Sequence, residues 1–258
     1  MISLNSVQAG RVYDAVVCLF CIPAAAVLAN LSVGLFNALP ARWFCDYDEQ
    51  PGEDLSRKRL FFKPYGIWMT VALSLSFILI YLQYKGDLFF FFAFCAAAVV
   101  LPMIAAADSK YFIIPDQFTL VLFVIFTAVS GYDLLSGTRL FHTSWLSPLY
   151  GAAAGLILML LFAVVGRIAY RKEAMGFGDV KLFAAAGILT GFPSFFLVFL
   201  MTVFLAFFYI LSLLLRRRPI RNLYLPLGPY LCLSLLLFLA FHRQIESFAV
   251  WYMSLLNM

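Results

Sequence analysis

Two short stretches of this sequence hold carboxylates where an apolar chain has little reason to keep them. Asp108 closes the apolar run that begins at Leu88, and SKYFIIPD follows it, so that Pro115 and Asp116 come soon after. Asp179 stands in GFGDVKL, at the start of another apolar run, with Gly176 and Gly178 before it and Lys181 after it. A carboxylate beside lipid is costly unless it is paired or used. Two carboxylates brought together in a partly dry site cannot both ionise easily, so one proton tends to be shared between them. The ionised member can then take a proton from water while the protonated member polarises a carbonyl, which is the chemistry of amide hydrolysis by an activated water. Such a pair titrates as a unit, and the reaction asks for no metal and no covalent nucleophile.

Each residue also has a plainer reading. Asp179 before an apolar helix can be an N-cap that satisfies free backbone N–H groups. Gly176 and Gly178 can form a flexible turn, or let a backbone approach a substrate or a second helix closely. Lys181 can be a basic anchor at a membrane surface, or it can bind lipid phosphate or stabilise the aspartate region. Glu173, in a basic loop, reads as a local ion pair or as a reader of positive charge on a substrate. Asp116 follows Pro115, where a helix start is expected, and is assigned an N-cap or substrate-positioning role. His142 and His242 are assigned no chemistry.

These residues sit in a chain of 258 residues of which 64% are hydrophobic and 12% charged, far from the balance of a soluble domain. Apolar runs long enough for a bilayer recur along the whole length, so the fold class is all-α, a polytopic membrane protein with about eight transmembrane helices. The expected spans are 12–38, 66–84, 88–107, 117–134, 148–170, 180–190, 193–215 and 225–242. The segment at 180–190 is too short to cross alone unless its neighbours shield it or the bilayer thins. One membrane domain covers 1–258: a first helix and short loop over 1–64, a catalytic bundle over 65–242 and a C-terminal tail over 243–258. The first segment reads as an anchor, since no small-residue cleavage pattern follows it.

With the N-terminus outside, fourteen of the eighteen basic residues fall in inner loops, which places the first loop in the cytoplasm and the C-terminus outside. In this topology Asp108 and Asp179 both lie at cytoplasmic helix ends and can meet at one depth. Cys18 and Cys21 spell CxxC, but no second thiolate pair completes a zinc site, and both read as small apolar helix residues.

DSKYFIIPD at 108–116, EAMGFGDVKL at 173–182 and LPLGPY at 225–230 together resemble the type IV prepilin peptidases, GxGD aspartyl proteases of the bacterial inner membrane. The resemblance covers about 88–240 and rests on order and spacing: an Asp at a helix end, a PD soon after, a basic loop leading into GxGDxKL, and a late PLGP. GLFNALPAR at 34–42 is similar to a degraded form of the family's N-terminal GSFLNVVIxRLP. The resemblance implies that Asp108 and Asp179 are the catalytic pair, with Gly176, Gly178, Lys181, Pro115, Asp116 and Glu173 as supporting motif residues. It implies prepilin or pseudopilin substrates of type IV pili or type II secretion. Their short basic leader is removed on the cytoplasmic side, and the apolar helix that follows stays in the lipid bilayer. No nucleic-acid partner is implied. Pro226, Gly228 and Pro229 are expected to shape a helix entrance.

The chain departs from the long form of that family in its first loop, about 39–64, which is short and keeps only Cys45 in place of two CxxC pairs. No zinc site is therefore expected. The peptidase reaction needs no cofactor, and S-adenosylmethionine enters only if the family's N-methyl transfer is retained. Two other readings stand beside the peptidase. Paired membrane carboxylates also serve proton- or cation-coupled transporters, which more often show internal repeats and mid-span charges. An inactive structural subunit of a pilus or secretion machine would be free to lose an aspartate, whereas this chain has both.

Overall fold

The computed structural model describes residues 4–45, 59–170, 176–217 and 225–256. Among them are eight α-helices and no strand: α1 (Leu4–Ala38), α2 (Ile67–Tyr84), α3 (Leu88–Tyr111), α4 (Asp116–Ser136), α5 (Ser147–Tyr170), α6 (Phe177–Thr190), α7 (Ser194–Leu215) and α8 (Gly228–Leu256). Seven of these contain a stretch long and apolar enough to cross a membrane, and α6 is the exception. The fold is that of a polytopic all-α membrane protein, as the composition requires. In a bilayer core, a helix satisfies every interior backbone group by itself, which is why the long apolar runs take this form.

The helix limits follow local chemistry. Asp87 caps α3, its side chain accepting from the backbone N–H groups of Phe89 and Phe90. The other end of α3 closes on Phe112, a left-handed residue (φ 55°) whose N–H returns to the Asp108 carbonyl. Pro115 then presets the chain for α4, which stops at Gly137 (φ 72°). Two limits differ most from the sequence expectation. Helix α1 begins at Leu4, before the apolar window that starts at Val12. The tail from 243 onward continues α8 to Leu256 after a break in helical geometry at Phe241.

Helix α6 is the hub of the C-terminal half, packing on α4, α5, α7 and α8. With 14 residues it is about 21 Å long, short of a bilayer core of ~30 Å. Its tightest neighbour is α5, where Gly151 and Gly155 form a GxxxG step in the run GAAAG. A Cβ at Gly151 would fall 2.1 Å from the Gly187 carbonyl oxygen, and one at Gly155 would fall 2.4 Å from that of Phe183. Small residues thus let the two backbones touch, which is how helices associate where lipid removes the hydrophobic drive between them. The GxxxG spacing at 151–155 is the signal of this stripe in the sequence, apart from the motifs of the expected site.

The missing length of α6 lies at its C-terminal end, and the connection between α4 and α5 fills it. Phe141 and His142 of that connection are buried, and a Cβ at Gly191 would come within 2.6 Å of His142 Nδ1. Asp133, fully buried on α4, organises the connection. Its carboxylate accepts from the Thr138 hydroxyl and from the backbone N–H groups of Leu140, Phe141 and His142. His142 Nε2 pairs with Ser130 Oγ at 2.9 Å, and that hydroxyl also reaches the Ile188 carbonyl of α6 at 3.0 Å. His242 of α8 bonds the Leu140 carbonyl from the other side. The two histidines, assigned no chemistry from the sequence, are buried structural parts of this cluster, and Asp133 escaped the sequence reading altogether.

Candidate active site

The N-terminal end of α6 and the C-terminal end of α3 lie at the same end of the bundle. Asp108, in the last turn of α3, is 4% exposed. Asp179, in the first turn of α6, has a buried Oδ1 with no hydrogen-bond partner among the described residues. Asp108 is reached by the Gly228 backbone of α8, and Gly178, next to Asp179, lies against Ile114 of the turn that follows Asp108, so three helices converge on this point. Two carboxylates 71 positions apart in sequence are brought into one electrostatic site.

Neither aspartate is held as an ordinary cap. The N-cap position of α6 is Gly176, whose carbonyl accepts from the Asp179 N–H at 3.2 Å. Asp179 therefore stands inside the helix, and the simple N-cap reading of this residue is corrected. The same correction applies to Asp116: Pro115 occupies the N-cap position of α4, and Asp116 is its first helical residue. Its carboxylate instead forms a two-pronged ion pair with Lys181 Nζ, at 2.7 and 2.8 Å. Lys181 also lies over the ring of Phe177, 5.1 Å from its centre. The pair ties the start of α4 to the first turns of α6 and is partly open to the surroundings. Lys181 is thereby a link between the PD and GFGD segments.

The three motif glycines differ. Gly228, the first residue of α8, donates its N–H to Asp108 Oδ2 at 2.8 Å. A Cβ there would sit 2.7 Å from the same oxygen, so only glycine lets this backbone reach the carboxylate. The LPLGPY segment does more than shape a helix entrance, because it supplies the hydrogen bond that orients Asp108. At Gly178 a Cβ would meet the Ile114 side chain at 3.0 Å, a close approach of the GFGD segment to the IIPD segment. Gly176 has ordinary space, its nearest contact being Asp179 Oδ2 at 3.7 Å. Glu173 lies outside the described residues, as do 46–58 of the first loop. Cys45 carries a free thiol at the end of the short helix Ala41–Phe44.

Comparison of the chain with known proteins bears on the class of this helical membrane bundle. Residues 91–211 match the type IV leader peptidase family. The chain is 32% identical over 130 residues to the leader peptidase HopD of Escherichia coli, covering 48% of this chain and 76% of that protein. It is 28% identical over 158 residues to the prepilin leader peptidase/N-methyltransferase of Aeromonas salmonicida, covering 60% of this chain and 50% of the relative. For the Bacillus subtilis protein of the same name the identity is 28% over 151 residues, covering 58% and 56%. The chain belongs to the type IV leader peptidase family. It spans about half the length of the Aeromonas relatives that it matches. No solved structure matches it at a significant level.

Proposed function

We propose that this protein is an aspartyl endopeptidase of the bacterial inner membrane that removes the short basic leader from type IV prepilins or type II secretion pseudopilins at the cytoplasmic face. The observation that carries this reading is the convergence of Asp108 and Asp179, from helices distant in sequence, at one end of the bundle. The distribution of basic residues supports the cytoplasm as the side to which that end faces.

The chemistry follows from a pair that holds one proton. The ionised aspartate takes a proton from water as its oxygen adds to the scissile carbonyl carbon, while the protonated aspartate gives its proton to the carbonyl oxygen. The tetrahedral diol then returns one hydroxyl proton to the dyad. The other aspartate protonates the leaving nitrogen, and the C–N bond breaks to leave a carboxylic acid and an amine. Gly228 keeps one Asp108 oxygen engaged throughout. A membrane-embedded site suits a substrate whose apolar helix remains in lipid while only the junction with the leader enters.

Placement at helix ends favours this reading over a transporter, in which a relay would run through mid-span charges. The test is cleavage of candidate prepilins by the full-length chain in membranes, read as leader loss on a gel. Leader loss that requires both aspartates is the expected result. Intact prepilin from every candidate pilus and secretion system of the host would return the chain to the transporter or inactive-subunit readings.

A further inference from the structure

The geometry points to Asn37 as a positioning residue for Asp108, acting through a bracket built from the end of α1 and the return of the first loop. The inference rests on the peptidase reading and assigns work to a segment outside the 91–211 family match.

Asn37 sits in the last turn of α1, within GLFNALPAR, and its amide uses both ends. Oδ1 accepts from the backbone N–H groups of Arg59 and Leu60 at 2.8 and 2.9 Å, and Nδ2 donates to the Leu60 carbonyl at 2.8 Å. One side chain thus takes the place of a neighbouring strand for two residues of a returning loop. Arg59 is only 5% exposed; its guanidinium donates to the Phe36 carbonyl at 3.3 Å and lies 4.7 Å from the centre of the Phe44 ring. The Arg59 carbonyl in turn receives the ammonium of Lys110, which stands two residues beyond Asp108.

Aromatic contacts repeat the connection. Phe36 packs on Phe44 at 4.7 Å, Phe44 on Tyr111 at 5.7 Å and Phe36 on Phe118 at 6.4 Å. Tyr111 ends α3 and Phe118 lies in the first turn of α4, so the bracket grips both sides of the turn between Asp108 and Asp116. That turn needs holding. Phe112 is left-handed without being glycine, a strained conformation that persists where surroundings enforce it. Through Ile114 the turn also presses on Gly178, next to Asp179. Loosening the bracket therefore displaces Asp108 against its partner while leaving the substrate's path through lipid untouched.

The experiment compares full-length wild type with Asn37→Ala, Asn37→Asp and the control Asn30→Ala, whose side chain, among the described residues, bonds the carbonyl of Ala26 in its own helix. Two readouts are taken on purified protein: kcat and KM for prepilin cleavage, and amide hydrogen exchange over residues 109–114. Loss of these three hydrogen bonds lowers kcat about tenfold or more in Asn37→Ala, with KM within about twofold, and speeds exchange about tenfold. Asn37→Asp keeps the acceptor for both amides and recovers part of kcat, and Asn30→Ala matches wild type. Wild-type kcat in Asn37→Ala, or a loss carried by KM, overturns the inference. If Asn37→Ala does not accumulate, the same two readouts on Asn37→Asp decide it. If wild type cleaves no prepilin, the peptidase reading fails by itself, and exchange at wild-type rates in the Asn37 variants overturns the bracket independently.

Discussion

Helix α6 has a buried carboxylate cluster at each end, and the two are built on opposite plans. At its C-terminal end Asp133 has both oxygens occupied, accepting three backbone N–H groups and a hydroxyl. At its N-terminal end Asp108 has one oxygen engaged by Gly228, and Asp179 keeps a buried oxygen with no partner among the described residues. Buried polar groups are ordinarily satisfied because an unsatisfied one costs about 1–3 kcal/mol. A saturated carboxylate is thus a fastening, whereas an unsaturated one is available to water and substrate. Both clusters contain Asp in an apolar setting, so burial alone does not distinguish chemistry from architecture; the count of donors does.

The largest expected effect breaks the comparison at the N-terminal end. Asp179→Asn and Asp108→Asn keep size and shape but remove the titrating group, and each abolishes prepilin cleavage at matched membrane levels. Residual turnover at the wild-type rate in either variant would dissolve the dyad.

Next comes the support of Asp108. Gly228→Ala places a methyl 2.7 Å from Asp108 Oδ2 and lowers kcat about a hundredfold, a cost of ~2.7 kcal/mol in the transition state. Gly176→Ala, where the nearest atom is 3.7 Å away, stays within about threefold of wild type, an order-of-magnitude reading of ordinary contact. Equal losses in both glycine variants would show that backbone flexibility, and not close approach, governs the motif.

The C-terminal end responds differently. Asp133→Asn turns an amide NH2 toward backbone donors and destabilises the protein by about 3 kcal/mol, seen as a lower Tm in detergent, while kcat per folded molecule is kept. A variant with normal Tm and lost kcat would make Asp133 part of the chemistry. The same end carries a pH dependence. Burial holds the imidazolium of His142 down to about 4, below its ordinary value. The unfolded chain therefore binds a proton that the folded chain refuses, and the contribution of His142 to stability falls as pH drops from about 6.5 toward 4. Replacing His142 by Asn should flatten the decline of Tm over that window, and an unchanged decline would assign it to other groups.

The smallest effect sharpens the boundary of the site. Asp116→Asn breaks the ion pair with Lys181, which is partly exposed and worth ~1 kcal/mol or less, and retains substantial cleavage. An inactive Asp116→Asn beside an active Asp108→Asn would move the first catalytic position to Asp116.

The sequence by itself determined that the chain lives in a membrane, because runs of apolar residues longer than a bilayer core admit few other structures. It also determined which carboxylates stand out, since Asp108 and Asp179 close or begin such runs and short Gly- and Pro-containing motifs adjoin them. Charge distribution carried an expected topology, and the packing of α3 against α8 and of α6 against the turn after α3 brings the two aspartates to one end of the bundle. What the sequence left open were partnerships across distance. That Asp116 meets Lys181 and does not cap a helix, that Gly228 donates to Asp108 across 120 positions, and that Asn37 binds a loop 22 positions away are properties of packed helices. Local pattern shows which residues are polar in an apolar run. Only the tertiary structure decides how many donors reach each oxygen, because those donors come from backbone amides that every residue but proline has, and nothing in a residue's type marks one of them as the partner.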